Sequence, residues 1–294
     1  MATLREIRKR IRSVKSIAKV TKAMQTVSAS KMRRSQIMAS ATRPYADKSW
    51  EVLTHLVSRL TPGQIAAQPL LRSHAVHAVD LILISASRGL CGGYNHNVVE
   101  AAVSFIHQQT VPVRVVAVGR KGRDAMLRYG YELAGDFEIP DRPGITEIHP
   151  IARLVMDDVE RGTVGQVWVA YTEFVSTLVQ RPKVRLLLPM ESVTRGEQCP
   201  CLFEPDPQSI LDSMLRRFIE LQIYQTILES LASEHSARMV AMRNATDNAL
   251  RLIDGLTLGY NKARQEAITK EILDIVGGAA ALEQARAAAR TVSP

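Results

Sequence analysis

The six residues Arg88-Gly89-Leu90-Cys91-Gly92-Gly93 are the first place to look for chemistry. They follow a short apolar run, Val79 to Ile84, and precede a helical pattern from Asn95 to Gln109, where phosphate-cradling loops stand. Neither G-x-x-x-x-G-K-[ST] nor G-x-G-x-x-G is completed there, and Gly119-Arg-Lys-Gly122 is equally incomplete. A tight turn or a contact surface is therefore expected in preference to a nucleotide site. Cys91 lies near Arg88 and a helix start, which could favour a thiolate, but a buried inert thiol is the plainer reading. Cys199-Pro-Cys201 has no second Cys/His cluster to make a metal or redox site and reads as a loop. None of His55, His74, His77, His96, His107, His149 and His235 falls in a metal-ligand or nucleophile–base spacing. Asp157-Asp158 reads as a solvated helix face. No self-sufficient active site is expected, and no cofactor or metal.

If the chain does no chemistry of its own, its elements must explain it. Net charge is +9, and residues 1–50 hold 13 Lys/Arg against Glu6 and Asp47, so the basic character belongs to one N-terminal element. Aromatics are 5% of the chain, and the three cysteines are too few for a disulfide framework and point to a reducing compartment. No stretch of 18 apolar residues suggests a membrane span. The beginning MATLREIRKR lacks an apolar signal core and the serine-rich character of a transit peptide.

Thr3-Leu-Arg-Glu6 has the form of a capping box, and neither Gly nor Pro occurs from there to Arg43. Leu4, Ile7, Ile11, Val14, Ile17, Val20, Met24 and Val27 recur in steps of three or four, predicting one apolar helix face. Ala18, Thr21, Ser28, Ser35 and Ala39 are small enough to let another helix come close. Pro44 can kink the helix, which resumes to Leu60 and ends at Thr61-Pro62-Gly63.

The period then shortens. Val79–Ile84, Val113–Val118, Val167–Tyr171 and Lys183–Leu188 read as strands, with helices at Asn95–Gln109, Arg120–Tyr129 and Thr146–Arg161. Alternation of this kind predicts a small α/β unit with a largely parallel sheet. After a polar connection, residues 194–205, a run without proline extends from Pro207 to Pro294. Met214, Phe218, Leu221, Gln225, Leu228, Ala232, His235, Met239, Met242, Thr246, Ala249, Ile253, Leu256, Tyr260 and Ala263 alternate steps of four and three, the spacing of a coiled-coil seam.

The expected fold is thus α/β plus a long antiparallel coiled coil. Residues 1–62 and 206–290 form paired helices, and a Rossmann-like α/β domain, residues 75–195, is inserted between them. The second helix outruns the first by about 26 residues, about 40 Å at 1.5 Å per residue. That overhang, from about Ala267, carries Ile268, Ile272, Ile275, Val276 and Leu282. Apolar residues on an unpaired helix need a sleeve from another protein.

The runs REIRKRIRSVKSIAKVTKAMQTVSASKMRRSQ, RGLCGGYN and SEHSARMVAMRNATDNALRLIDGLTLGYNKARQEAITKEILDIVGGAAAL resemble the gamma subunit of F-type ATP synthases. The resemblance covers the whole chain. It implies a rotor shaft: the coiled-coil tip inside a ring of alpha and beta subunits, and the foot on the c-subunit ring with epsilon. Proton flow would turn the shaft, and ATP chemistry would belong to alpha and beta. By this resemblance Met24 faces a mobile beta-subunit loop, Gln265 and Thr269 contact a beta subunit, and Arg243 lies opposite the N-terminal helix. Arg88, Gly89, Leu90, Cys91, Gly92 and Gly93 match the foot region near epsilon and the c ring. Ser87 stands where the family commonly has Asp, and Gly259 replaces a larger residue. The cysteine-bearing insertion of the chloroplast form has no counterpart, so no thiol switch is expected.

The implied protein has no membrane span and no nucleic-acid partner, and it sits at the cytoplasmic face of a bacterial membrane through the c ring. By composition alone, the basic helix could equally serve an independent coiled-coil scaffold or a nucleic-acid binder.

Overall fold

The computed structural model describes residues 4–72, 75–190 and 206–291. Thr3, the 194–205 connection, Cys199 and Cys201 lie outside the described residues, as do the side chains of Leu282 and the tail beyond it. The chain divides into two compact units. One comprises residues up to Met24 together with those from Met242 onward; the other is Gln25–Ala241. The first helix, α1 (Leu4–Arg59), and the last, α6 (Pro207–Thr291), contribute to both.

In the larger unit, α2 (Pro62–Ala66) is a single short turn closed by a Thr61/Gln64 capping box. The remainder builds a five-stranded sheet from β1 (Val79–Ile84), β2 (Val113–Val118), β3 (Leu133–Phe137), β4 (Gln166–Phe174) and β5 (Gln180–Leu188). Its order is β3-β2-β1-β4-β5; the first four strands are parallel and β5 returns antiparallel to β4. Three helices join the strands: α3 (Tyr94–Gln108), α4 (Arg120–Arg128) and α5 (Ile145–Glu160).

β1 is buried at all six residues because both faces are covered. Ile82 and Ile84 enter a core with Ile151 and Val155 of α5, Leu53 and Leu56 of α1, and Leu211 and Leu215 of α6. Val79, Leu81 and Leu83 enter the opposite core with Val98 and Phe105 of α3 and Met126 of α4. This alternation with period two places the sheet as the middle of three layers.

The largely parallel sheet is as the sequence predicted, with two additions. β3 went unread because Leu-Ala-Gly-Asp-Phe has no clear alternation, and it is a short edge strand. Strands β4 and β5 are each longer than their apolar runs, since pairing in the hairpin extends both through polar residues. Pro44 does not end α1, which is continuous through it.

Within this unit α1 and α6 run antiparallel, Trp50 stacking on Phe218 with ring centroids 5.3 Å apart. On α1, Ser28 and Ser35 are buried. In the smaller unit Arg8 donates to the Tyr260 hydroxyl at 2.7 Å, and the Thr21 and Thr246 hydroxyls share a hydrogen bond of 2.7 Å. Residue numbers rise on one helix as they fall on the other, so these segments are antiparallel too.

One reading of α1 is corrected here. The seam begins on Leu4, Ile7, Ile11 and Val14 but continues through Ala18 and Thr21, both buried, while Ile17, Val20 and Val27 are 51%, 56% and 54% exposed. A strict seven-residue repeat from Leu4 and Ile7 reaches those small residues, so register decided over hydrophobicity.

Candidate partner-contact surfaces

In the smaller unit the sequence-predicted contact residues other than Met24 lie on α6. The seam Ile253, Leu256, Tyr260, Ala263 is half-buried, and every described residue from Arg264 to Ala280 is exposed. Ile268, Ile272, Leu273, Ile275 and Val276 are large apolar side chains between 48% and 66% exposed. Continuing the seam by its own steps reaches Ala267, Lys270 and Asp274, none of them a large apolar residue. At about 100° per residue the five apolar side chains span an arc of roughly 160°, turned away from that seam line. Gln265 and Thr269 fall inside the same arc. The tip is therefore a second apolar face, distinct from the one that pairs the helices. Arg243 is exposed on the same helix and Met24 of α1 is half-buried.

In the larger unit the Arg88–Gly93 loop leaves the C-terminal end of β1. Arg88, Gly89 and Leu90 are exposed, Cys91 is buried, and Gly92 and Gly93 are exposed. The turn needs left-handed backbone at Leu90, φ 62°, and at Gly92, φ 58°. Leu90 tolerates it although it is no glycine, because the loop is held from both sides. On one side Asn95 accepts from the Ala86 amide at 3.0 Å and donates to the Cys91 sulfur at 3.1 Å. On the other, Arg238 of α6 donates to the Arg88 carbonyl at 3.2 Å and to the Gly89 carbonyl at 3.2 and 3.3 Å. Its remaining arm, Nη1, donates to Glu234 at 2.6 Å.

That anchor belongs to a polar face of α6 packed into the unit. Ser230 meets the Tyr94 hydroxyl at 2.8 Å, Ser233 donates to the Thr172 carbonyl at 3.0 Å, and Ser236 donates to the Thr177 carbonyl at 2.7 Å. Small hydroxyl residues let the helix lie against strand ends while satisfying their polar atoms. Lys31 of α1 and Asp141 form an ion pair of 2.5 Å nearby.

The electrostatics follow from this packing. Burial pushes the Glu234 carboxyl up against the pull of Arg238. Burial works the same way on Asp141, but the Lys31 hydrogen bond and charge prevail and hold it below the usual carboxylate range. Burial pushes the Cys91 thiol up, so the loop holds an inert thiol, not a thiolate.

The glycines after β2 have a packing cause as well. A Cβ on Gly119, φ 98°, would stand 2.2 Å from the Ser85 carbonyl oxygen, and one on Gly122 would stand 2.6 Å from the Ser85 hydroxyl. The first amides of α4 are already engaged: Lys121 donates to the Ala86 carbonyl and Gly122 to the Ser85 hydroxyl. Those donors are what a phosphate would require.

Sequence reasoning found the loop and missed what grips it. Arg238, Glu234, Tyr94 and Ser230 were not singled out; the available signal was Glu234-x-x-x-Arg238, a pair one helical turn apart beside serines and alanines.

Comparison with known proteins agrees with this architecture. The ATP synthase family model, described as "ATP synthase", matches residues 3–282. The ATP synthase gamma chain of Dehalococcoides mccartyi strain 195 is 47% identical over 285 residues, 96% of this chain and 100% of its own. That of Herpetosiphon aurantiacus is 48% identical over 296 residues, 97% and 100% of the two chains. Among solved structures, a chain of the Euglena gracilis mitochondrial ATP synthase (OSCP/F1/c-ring) superposes with a TM-score of 0.68 at 18% identity, over 96% of this chain and 95% of that one. A chain of the Tetrahymena thermophila mitochondrial ATP synthase central stalk and c-ring gives 0.59 at 23% identity, over 77% and 99%. The structural likeness concerns the fold, and the sequence relatives decide the family. The chain belongs to the ATP synthase gamma-chain family.

Proposed function

We propose that the chain is the central rotary stalk of an F-type ATP synthase, transmitting torque between the membrane c ring and an alpha/beta head. The carrying observation is the tip of α6, seventeen described residues, Arg264–Ala280, exposed throughout with Ile268, Ile272, Leu273, Ile275 and Val276 on one face. Exposed apolar residues so concentrated mark a surface that works against a partner. Gln265 and Thr269 share that face and are assigned to the beta subunit, with Ile268, Ile272 and Ile275 as the bearing around them. Met24 and Arg243 are assigned to the head as well. Arg88, Gly89, Leu90, Cys91, Gly92 and Gly93 are assigned to the foot, near epsilon and the c ring.

In this reading the chain has no catalytic site, and ATP is made or split on its partners. It works as 1–62 and 206–290, the shaft, and 75–195, the inserted domain. No described helix is long and apolar enough to cross a membrane, so attachment is peripheral, through the c ring, at the cytoplasmic face of a bacterial membrane. Purification of a tagged chain tests this directly. Alpha, beta, epsilon and c subunits are expected in the eluate by mass, and removing residues 264–291 should lose alpha and beta from it. A chain that purifies without them, or that keeps them after the truncation, would sink the assignment.

A further inference from the structure

His235 of α6 is 2% exposed and stands between a cation and an anion. Arg238 Nη1 is 3.4 Å from its Nδ1, and Asp141 Oδ1 is 3.8 Å from its Nε2. A guanidinium can only donate, so Nδ1 presents its lone pair and the ring proton sits on Nε2, toward the carboxylate. Yet Nε2 makes no hydrogen bond, one of two buried side-chain polar atoms so placed among the described residues. A buried donor left open beside a carboxylate calls for a reason.

The charged and titratable neighbours come from every element around the ring. α1 brings Lys31, and the β3–α5 connection brings Asp141, which Lys31 holds. The 88–93 loop brings Arg88, whose charge acts on Asp141, and Cys91, which feels Arg238 and Glu234. α6 itself brings Glu234 and Arg238. Arg238 is the pivot, since it faces the ring and also grips the Arg88 and Gly89 carbonyls.

We propose that His235 is an acid-operated release for the Arg88–Gly93 loop. Taking a proton from solvent at Nδ1, it sets an N–H against the guanidinium N–H, draws Nε2–H onto Asp141 and displaces Arg238 from the loop carbonyls. The inference goes beyond the stalk assignment and does not depend on it, since every group lies in one unit of this chain.

Burial and the Arg238 charge push His235 down to about 4, so the ring is neutral and the loop is held at neutral pH. A ring freed into water titrates near its ordinary value of about 6.5. The closed state therefore disfavours the proton. The grip is full above about pH 6.5, weakens as pH falls toward about 4, and loses nothing further below that.

Cys91 is the buried residue of the loop and reports its release. The test uses the full chain in dilute solution, with Cys199→Ser and Cys201→Ser, and follows reaction of Cys91 with dithiodipyridine while far-UV circular dichroism tracks the helices. The rate, divided at each pH by that of the urea-unfolded chain so that the falling thiolate fraction cancels, should rise more than about tenfold between pH 6.5 and 4 with the helices intact. His235→Gln, neutral throughout, should hold that ratio flat, and His235→Arg, always charged, should give a high ratio already at pH 7. An equal rise in His235→Gln would overturn the proposal, leaving Glu234 or general acid loosening as the cause. So would a flat profile in the parent chain, a slow His235→Arg, or loss of helix before the thiol opens.

Discussion

Helix α6 is two different helices in one chain. Between Leu211 and Arg238 most of its residues are buried, including Ser230, Ser233, Ser236, Glu234 and His235. Between Arg264 and Ala280 every described residue is exposed, including three isoleucines. Polar residues are inside in the first region and apolar ones outside in the second, the reverse of what side-chain hydropathy alone would arrange. The first region is built around close approach, where serines beat leucines because they fit and bond. Among the described residues the second region is exposed throughout, so its apolar face stays available.

That contrast can be broken most forcefully at Arg238. Arg238→Met would strip the buried Glu234 of its counter-charge and free the Arg88 and Gly89 carbonyls. Breaking a buried pair from one side costs about 3–5 kcal/mol. Urea denaturation of the full chain should show a loss of that order. A loss below about 1 kcal/mol would mean that the pair is solvated.

The Thr21–Thr246 contact offers a finer test of the same idea in the smaller unit. Thr21→Val leaves the buried Thr246 hydroxyl with only its Met242 carbonyl partner and should cost about 1–2 kcal/mol. The double change Thr21→Val with Thr246→Val removes both polar groups and should recover part of that loss, because no buried hydroxyl is then left without its cross-helix partner. Chemical denaturation of the three variants closes the cycle; an additive double variant would show that the two hydroxyls are uncoupled.

At the tip the expected effect on stability is the smallest. Ile272→Ser removes an apolar group that is already 55% exposed, so folding stability should move by less than about 0.5 kcal/mol. Assembly with alpha and beta subunits should weaken all the same. A destabilisation of 2 kcal/mol or more would show that Ile272 packs within its own chain, and the assignment of this face to a partner would fail.

Much of this was legible beforehand. The alternation of β1 with its neighbours, the four-three steps from Met214 to Ala263 and the unpaired residues after them are patterns of spacing, and spacing is written in the chain. The α1 seam was legible only in part. Ile17, Val20 and Val27 look more like core than Ala18 and Thr21, and hydropathy cannot tell which of two adjacent stripes will meet a partner helix. The loop at Arg88 was visible as a glycine-rich turn, whereas its grip by Arg238 joins residues about 150 positions apart.

By itself the sequence determined the periods: which segments are the long helices and the four more apolar strands, where the coiled-coil spacing stops, and that large apolar residues continue past that point. These follow from local geometry, 3.6 residues per turn and two per pleat. The tertiary structure alone decided which face of α1 is buried and that Glu234 lies inside. It also decided that Arg238 grips the Arg88 and Gly89 carbonyls. The reason is that burial belongs to pairs of surfaces, and the second surface of each pair comes from a distant part of the chain.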